Sequence, residues 1–428
     1  MSGRASNKQI AAAVIGNALE WYDFIVYGYL AVTISKLFFP PGSETTALLA
    51  TFALFGVAFF MRPVGGILLG HFTDVIGRKS ILFLVIALMT LGIGMIAFTP
   101  TYATIGVAAP IIMLIARLIQ GLSAGGEFAS STSFLVEHAP PGRRGLYGGW
   151  QMSGQGAAAF LAGLVGLLLA ATLTPAEVEA WGWRVPFLAG LIIGPLGFFI
   201  RLGLVETPEF LSERAKGRPA KAPLGRALAN HKTDILIGLG LVVGGTASIY
   251  VLIIFMPTYA IRTLKLSPQA AYIAPLAAGL VQAVLTPVMG RLSDRLGRKP
   301  VMATSIVLTL LALYPEFLWL NDAPSLIRLA AISVIGSALI SGHAGAVSTA
   351  LVELFPVSVR ATGSAIAYNL GVTLFGGFAP FIVAWLIART GDPFAPAYYV
   401  MAGLALSLVA VIFMPGRQAR GVAAPLRA

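Results

Sequence analysis

The sequence predicts an all-α polytopic membrane protein, with twelve transmembrane helices in two pseudo-symmetric six-helix halves. Three observations carry this expectation. Hydrophobic residues make up 57% of the 428 residues and charged residues only 11%, where ordinary soluble domains are about 25% charged; the mean hydropathy is +0.86. Apolar runs of the roughly 20 residues needed to cross a bilayer recur twelve times along the chain. A short cassette occurs twice, as Gly70-His71-Phe72-Thr73-Asp74-Val75-Ile76-Gly77-Arg78-Lys79 and Gly290-Arg291-Leu292-Ser293-Asp294-Arg295-Leu296-Gly297-Arg298-Lys299. The offset from Asp74 to Asp294 is 220 residues, too long for a solenoid repeat and suited to duplication of a whole multi-helix half.

The runs lie at approximately 10–37, 46–70, 80–99, 104–134, 146–172, 184–205, 233–261, 270–290, 300–319, 325–352, 361–388 and 395–415. Span one follows a short polar terminus and contains Glu20 and Asp23 without a small-residue cleavage site, so it reads as an uncleaved helix. At 100° per residue its Glu20, Asp23 and Tyr27 fall within about 60° of one another, a polar stripe that must face protein or water. Span two carries Arg62 ahead of Gly65-Gly66, and the first cassette joins it to the apolar span three. Span four carries Arg117, Gly125-Gly126 and Glu127. Span five opens with Gln151 and Gln155, and span six with Trp181 and Trp183, placed as an interfacial aromatic anchor.

The basic, proline-containing stretch 206–232 is the natural linker, dividing the chain into 1–205, 206–232 and 233–428. Span seven brings Gly244-Gly245, Thr246 and Tyr250, and span eight runs into the second cassette ahead of span nine. Span ten contains His343; span eleven contains Tyr368, Asn369, Thr373 and Gly376-Gly377; span twelve closes the set. The repeat also relates side chains. Glu137-His138-Ala139-Pro140 parallels Glu353-Leu354-Phe355-Pro356 at an offset of 216, which carries Glu127 onto His343. Both lie ten residues from the matched glutamate, roughly 15 Å along a helix.

With both termini inside, twenty of the 29 Lys and Arg fall on the cytoplasmic side and six outside, leaving Arg62, Arg117 and Arg201 within spans. This is the positive-inside asymmetry, so the net charge of +12 reads as topology and not as a nucleic-acid footprint. There are no cysteines, and the four histidines have no HExxH spacing, so no cofactor, thiol or metal chemistry is expected. No catalytic constellation is visible, which points away from an enzyme. A ligand sensor on a transporter scaffold is the reading from another class.

The twelve spans, central linker and repeated cassette resemble the major facilitator superfamily. The cassette is similar to that superfamily's G-x-x-x-D-R-x-G-R-R loop; Val75 stands at the usual basic position of the first copy, which weakens the case for a gating ion pair there. Arg117-Leu118-Ile119-Gln120-Gly121 with Ala124-Gly125 resembles its fourth-span motif. Four segments resemble the metabolite:proton symporters: 16–24, Arg62-Pro63-Val64-Gly65-Gly66, 181–187 and Glu206-Thr207-Pro208-Glu209-Phe210. The Gly391-Asp392-Pro393 segment is similar to the citrate and tricarballylate symporters within that group.

The resemblance implies a proton-coupled symporter of a small organic acid, a di- or tricarboxylate such as citrate. It would work by alternating access as a monomer in the bacterial inner membrane, with spans one, four, seven and ten lining a central cavity. A zwitterion such as proline or betaine, or a shikimate-like acid, is the alternative substrate. Every intramembrane charge needs an account, because it costs at least ~2.5 kcal/mol at the bilayer centre. Arg117, Arg62, Tyr27, Gln151, Gln155, Tyr250 and Asn369 are the expected substrate contacts, and Glu20, Asp23, Glu127 and His343 the expected proton carriers. Gly70, Asp74, Gly77, Arg78, Gly290, Asp294, Arg295, Gly297 and Arg298 are the expected gating positions. A packed ion pair or an interhelical hydrogen bond is the structural alternative for each polar group.

Overall fold

In hydrocarbon every backbone N–H and C=O must be satisfied within its own segment, so apolar runs of this length fold as helices. The computed structural model describes residues 7–76, 78–192, 228–356 and 359–415, without the side chains of 7–9, 12, 70–82, 126, 127, 129 and 130. Among the described residues eight helices are long and apolar enough to cross a membrane: Glu44–Leu69, Arg144–Thr172, Lys232–Arg262, Pro268–Leu296, Arg298–Asp322, Leu326–Glu353, Arg360–Thr390 and Ala395–Phe413. These are spans two, five and seven to twelve. Span one is Asn7–Tyr29 continued by Ala31–Phe38, and Phe83–Phe98 and Ala108–Ser123 are the shorter apolar helices of spans three and four. Span six is described as far as 192; Arg201, the Glu206–Phe210 motif and the linker up to 227 lie outside the described residues.

Three expectations are refined. Span four is broken by a 3₁₀ turn at Ala124–Gly126 before resuming as Glu127–Glu137, where a glycine pair gives the backbone its latitude. Spans seven and eleven each widen into a π segment, Tyr250–Phe255 and Thr373–Gly377. Each is followed within three residues by a proline, Pro257 or Pro380, which lacks the N–H for a regular turn and crowds the preceding one. Trp183 is fully buried, edge-on to Phe38 at 5.2 Å, so it packs inside the bundle while Trp181 stays exposed.

Small residues bring the helices together. A Cβ on Gly121 would overlap the Ala58 carbonyl, one on Gly65 the Leu122 carbonyl, and one on Gly125 the Arg62 carbonyl. Spans two and four therefore cross backbone to backbone, as small residues allow in membranes. Gly121→Val should thus be among the most damaging single changes, because overpacking costs about 1–3 kcal/mol or more. Its yield of monodisperse protein in detergent should collapse, while Gly94→Ala, whose added carbon would meet its nearest neighbour at 3.7 Å, should behave as wild type.

Spans five and eight pack in the same way, with Gly145 against Gly290 and Gly156 against Gly279. At the end of the bundle that carries the cassettes, Asp294 accepts hydrogen bonds from the N–H groups of Gly145 (2.7 Å) and Leu146 (3.0 Å). A carboxylate is well placed there, at the positive end of span five. Arg298 bridges Asp294 (2.8 Å) and Glu353 (3.2 Å), and Arg360 pairs with Glu137 at 3.2 Å. The opposite end is also bridged, by Arg262 to Glu44 at 2.6 Å and by the Tyr272 hydroxyl donating to the Tyr29 carbonyl at 3.2 Å. Among the described residues, both ends are thus bridged between the two sets of spans.

Candidate functional site

Helical spacing assembles the site. Trp21, Phe24 and Tyr27 recur every three residues on span one, and Phe55, Phe59 and Arg62 share one face of span two. The close crossing of spans two and four brings Arg117 into the same nest. The Arg62 guanidinium lies 4.6 Å from the ring centres of Phe24 and Phe59 and 5.1 Å from Trp21. That of Arg117 lies 4.3 Å from Tyr27, 5.0 Å from Phe24 and 5.4 Å from Phe55. Both arginines are buried, at 1% and 0% exposure. Each ring contact is worth up to about 2 kcal/mol when desolvated, comparable to the minimum cost of a charge in the bilayer. Aromatic faces thus hold the two cations in place.

Their hydrogen bonds are incomplete. Arg117 donates through Nη1 to Gln120 Oε1 at 2.9 Å, and Arg62 Nη2 lies 3.9 Å from Glu20 Oε1. Among the described residues, Nε and Nη2 of both arginines have no hydrogen-bond partner. These two nitrogens form one edge of a guanidinium, the fork that receives a carboxylate bidentately. Asp23 is 4% exposed, within electrostatic reach of Arg117, and its Oδ1 also has no hydrogen-bond partner. Gly190 of span six leaves it room, since a Cβ there would overlap Asp23 Oδ1.

Beside this nest lies a central cavity of about 30 Å³ lined by both sets of spans: Trp21, Phe128, Met152 and Gln155 from the first, Tyr250, His343, Ser348 and Tyr368 from the second. Room for one or two waters is far below the roughly 300 Å³ or more of an ordinary ligand pocket, so a solute enters only after the helices part. Trp21 and Tyr250 form the wall between cavity and nest, with rings 6.2 Å apart. The Phe128 and Tyr368 rings stack across the cavity at 3.4 Å. His343 Nε2 donates to the Leu241 carbonyl at 2.9 Å, which leaves Nδ1 as the acceptor nitrogen, without a partner.

The remaining expected site residues fall elsewhere. Gln151 and Asn17 exchange amide hydrogen bonds, with Gln151 Nε2 to Asn17 Oδ1 at 3.0 Å and Asn17 Nδ2 to the Gln151 carbonyl at 2.9 Å. Ser131 donates to Gln151 Oε1 at 3.1 Å. Asn369 donates to the Gly125 carbonyl at 3.0 Å, joining span eleven to the turn in span four. The Tyr27 hydroxyl donates to the Thr51 carbonyl at 3.3 Å. Of the seven expected substrate contacts, Gln155 and Tyr250 line the cavity and Arg62, Arg117 and Tyr27 form the nest behind it. The Glu127 side chain and those of the first cassette lie outside the described side chains, and Arg295 is exposed. One half-buried acid went unremarked in the sequence: Glu316 of span nine, three residues from the expected end of its run. It lies inside the expected run 300–319, and the helix continues to Asp322, so it sits within the span, where any ionisable residue is a functional candidate.

Residues 9–235 match the family described as sugar (and other) transporter, and residues 238–427 match the Major Facilitator Superfamily. The chain is 36% identical over 418 residues to a citrate-proton symporter of Klebsiella pneumoniae, covering 98% of this chain and 94% of that protein. It is 33% identical over 417 residues to the proline/betaine transporter of Escherichia coli K12, covering 95% and 83%. The xylose transporter XylE from E. coli, in a partially occluded inward open conformation, matches with a TM-score of 0.77 at 19% identity over 96% of this chain and 98% of that one. That likeness is one of fold.

Proposed function

This chain belongs to the major facilitator superfamily, and from that premise we propose that it is a proton-coupled symporter importing a small organic anion, a di- or tricarboxylate such as citrate. The observation that carries the reading is the pair of buried guanidinium groups behind the wall of a central cavity. Each has its carboxylate-binding edge, Nε and Nη2, lacking a hydrogen-bond partner among the described residues, although Glu20 stands 3.9 Å from Arg62 Nη2. Two forks suit a solute with at least two carboxylates. The citrate-proton symporters of Klebsiella and Salmonella, at 36% and 38% identity, support the same reading.

The mechanism follows from the geometry. The halves 1–205 and 233–428, joined by 206–232, rock about the central cavity, opening one bridged end at a time. The Lys and Arg distribution puts the cassette end and both termini in the cytoplasm of a bacterial cell, so the end bridged by Arg262 and Glu44 faces outward. When that end opens, Trp21 and Tyr250 part and an anion reaches the guanidinium edges. Protonation of Asp23 removes the competing negative charge beside Arg117, so proton and anion load together. A monomer carries every residue this cycle uses.

A second reading, import of a zwitterion such as glycine betaine, draws on Trp21, Tyr250, Phe128 and Tyr368 around the cavity, since aromatic faces also hold quaternary ammonium groups. Thermal unfolding of the detergent-purified protein separates the two. A true substrate at 100 times its Kd stabilises by about 2.7 kcal/mol. Citrate should raise the midpoint and glycine betaine should not; the reverse result replaces the anion with the zwitterion.

A further inference from the structure

A second polar chamber lies away from the central cavity, wholly within the C-terminal spans. It has a volume of about 20 Å³ and is walled by spans seven to ten, room for about one water. Glu316 of span nine enters it with Oε1 buried and without a hydrogen-bond partner, and Gln282 of span eight, 1% exposed, brings Nε2 in the same condition. Ser248, Ser333 and Ser337 complete the polar wall. Gly336 of span ten faces the carboxyl, where a Cβ would stand at ordinary contact distance, 3.6 Å, from Glu316 Oε2.

No cation pairs with this carboxyl among the described residues. Among the described residues, spans seven, eight and ten face it with Ser248, Met256, Gln282, Ser333 and Ser337, none of them charged or titratable. Span twelve meets span nine through Tyr398 against Tyr314, and Arg328 pairs with Asp322 at the helix end. An unpaired carboxylate is costly in a membrane interior. The cheapest neutral form is the acid, and the Ser248 and Ser333 hydroxyls already donate to their own helix carbonyls at Gly244 and Leu329.

We propose that Glu316 is a proton-loading site of the transport cycle, linked to the central cavity along spans seven and ten. Ile249 lines both spaces, and the chamber's Ser337 lies six residues from His343, roughly 9 Å along span ten. The carboxylate takes its proton from water at the outward end, becomes neutral in the closed state, and returns the proton to water on the cavity side, where His343 Nδ1 is the next acceptor. This rests on the proton-symport reading above, and extends it to a group outside the arginine nest.

Two measurements on full-length protein in proteoliposomes test it. Infrared difference spectra between acid and alkaline medium should contain a protonated-carboxyl band that Glu316→Gln removes and Glu316→Asp restores. Proton uptake per citrate should fall by one in Glu316→Gln, while citrate counterflow continues. An unchanged band, or an unchanged proton-to-citrate ratio, overturns the proposal. Sodium-dependent thermal stabilisation lost in Glu316→Gln also overturns it, because the chamber would then hold a sodium ion. If the wild type moves no protons with citrate, the symport reading fails, and the infrared band alone decides for Glu316.

Discussion

Arg117→Lys is expected to weaken citrate binding at least tenfold, about 1.4 kcal/mol, although the formal charge is kept. Nη1 of Arg117 is committed to Gln120 while Nε and Nη2 have no hydrogen-bond partner, and only a guanidinium offers that edge as a two-point fork. An ammonium at the same place is a point charge, more strongly hydrated and more costly to bury. It also loses the planar face that rests on Tyr27 at 4.3 Å and Phe24 at 5.0 Å. Calorimetry on monodisperse Arg117→Lys protein is the measurement. A scaffolding role for Arg117, neutralising Asp23 alone, predicts poor folding and normal affinity in whatever protein survives. Well-folded Arg117→Lys protein that binds citrate as tightly as wild type would remove Arg117 from the anion site.

Asp23→Asn is expected to abolish accumulation driven by a pH gradient while leaving citrate counterflow in place. Each proton carried down one pH unit is worth about 1.36 kcal/mol, a tenfold concentration ratio. Asparagine fills the space beside Gly190 with the same number of heavy atoms but mimics the protonated acid permanently. Exchange needs no net proton movement, so it survives; coupling does not. The variant's accumulation ratio under an inward proton gradient should fall to about that of vesicles without the gradient, and its counterflow should lose its pH dependence. Wild-type accumulation in Asp23→Asn vesicles would assign the coupling proton elsewhere, with Glu316, Glu20 and Glu127 the next acids to replace.

The sequence made the helical plan legible because spanning helices are written locally, as about 20 apolar residues each. The cassette repeat was equally readable, and Asp294 proved to reach the first turn of span five. Which faces meet was not readable. Gln151 and Asn369 look like cavity amides in sequence, yet each is engaged by a neighbouring helix, since helix rotation depends on packing between residues far apart in the chain. Trp183 sits at the margin of its span, where aromatic residues commonly meet the interface, and the fold of the 174–184 segment turns it inward against Phe38. The aromatic nest was hidden for a similar reason. Phe55 and Phe59 are unremarkable in an apolar run, and become informative only when span four carries Arg117 past them. Glu316 lay inside the expected run 300–319 and was passed over because one acid near a helix end reads as an interfacial residue. His343 was placed by internal symmetry, and it lines the cavity.

The central claim is that proton movement drives a carboxylate inward. Purified protein in proteoliposomes, with radiolabelled citrate outside and an imposed inward proton gradient, tests it most directly. Inside-negative potential adds about 2.3 kcal/mol per 100 mV for each net positive charge carried. The account predicts citrate accumulation above equilibrium, matched by alkalinisation of the external medium and collapsed by a protonophore. Citrate that only equilibrates, with no proton movement and no response to the protonophore, would contradict it.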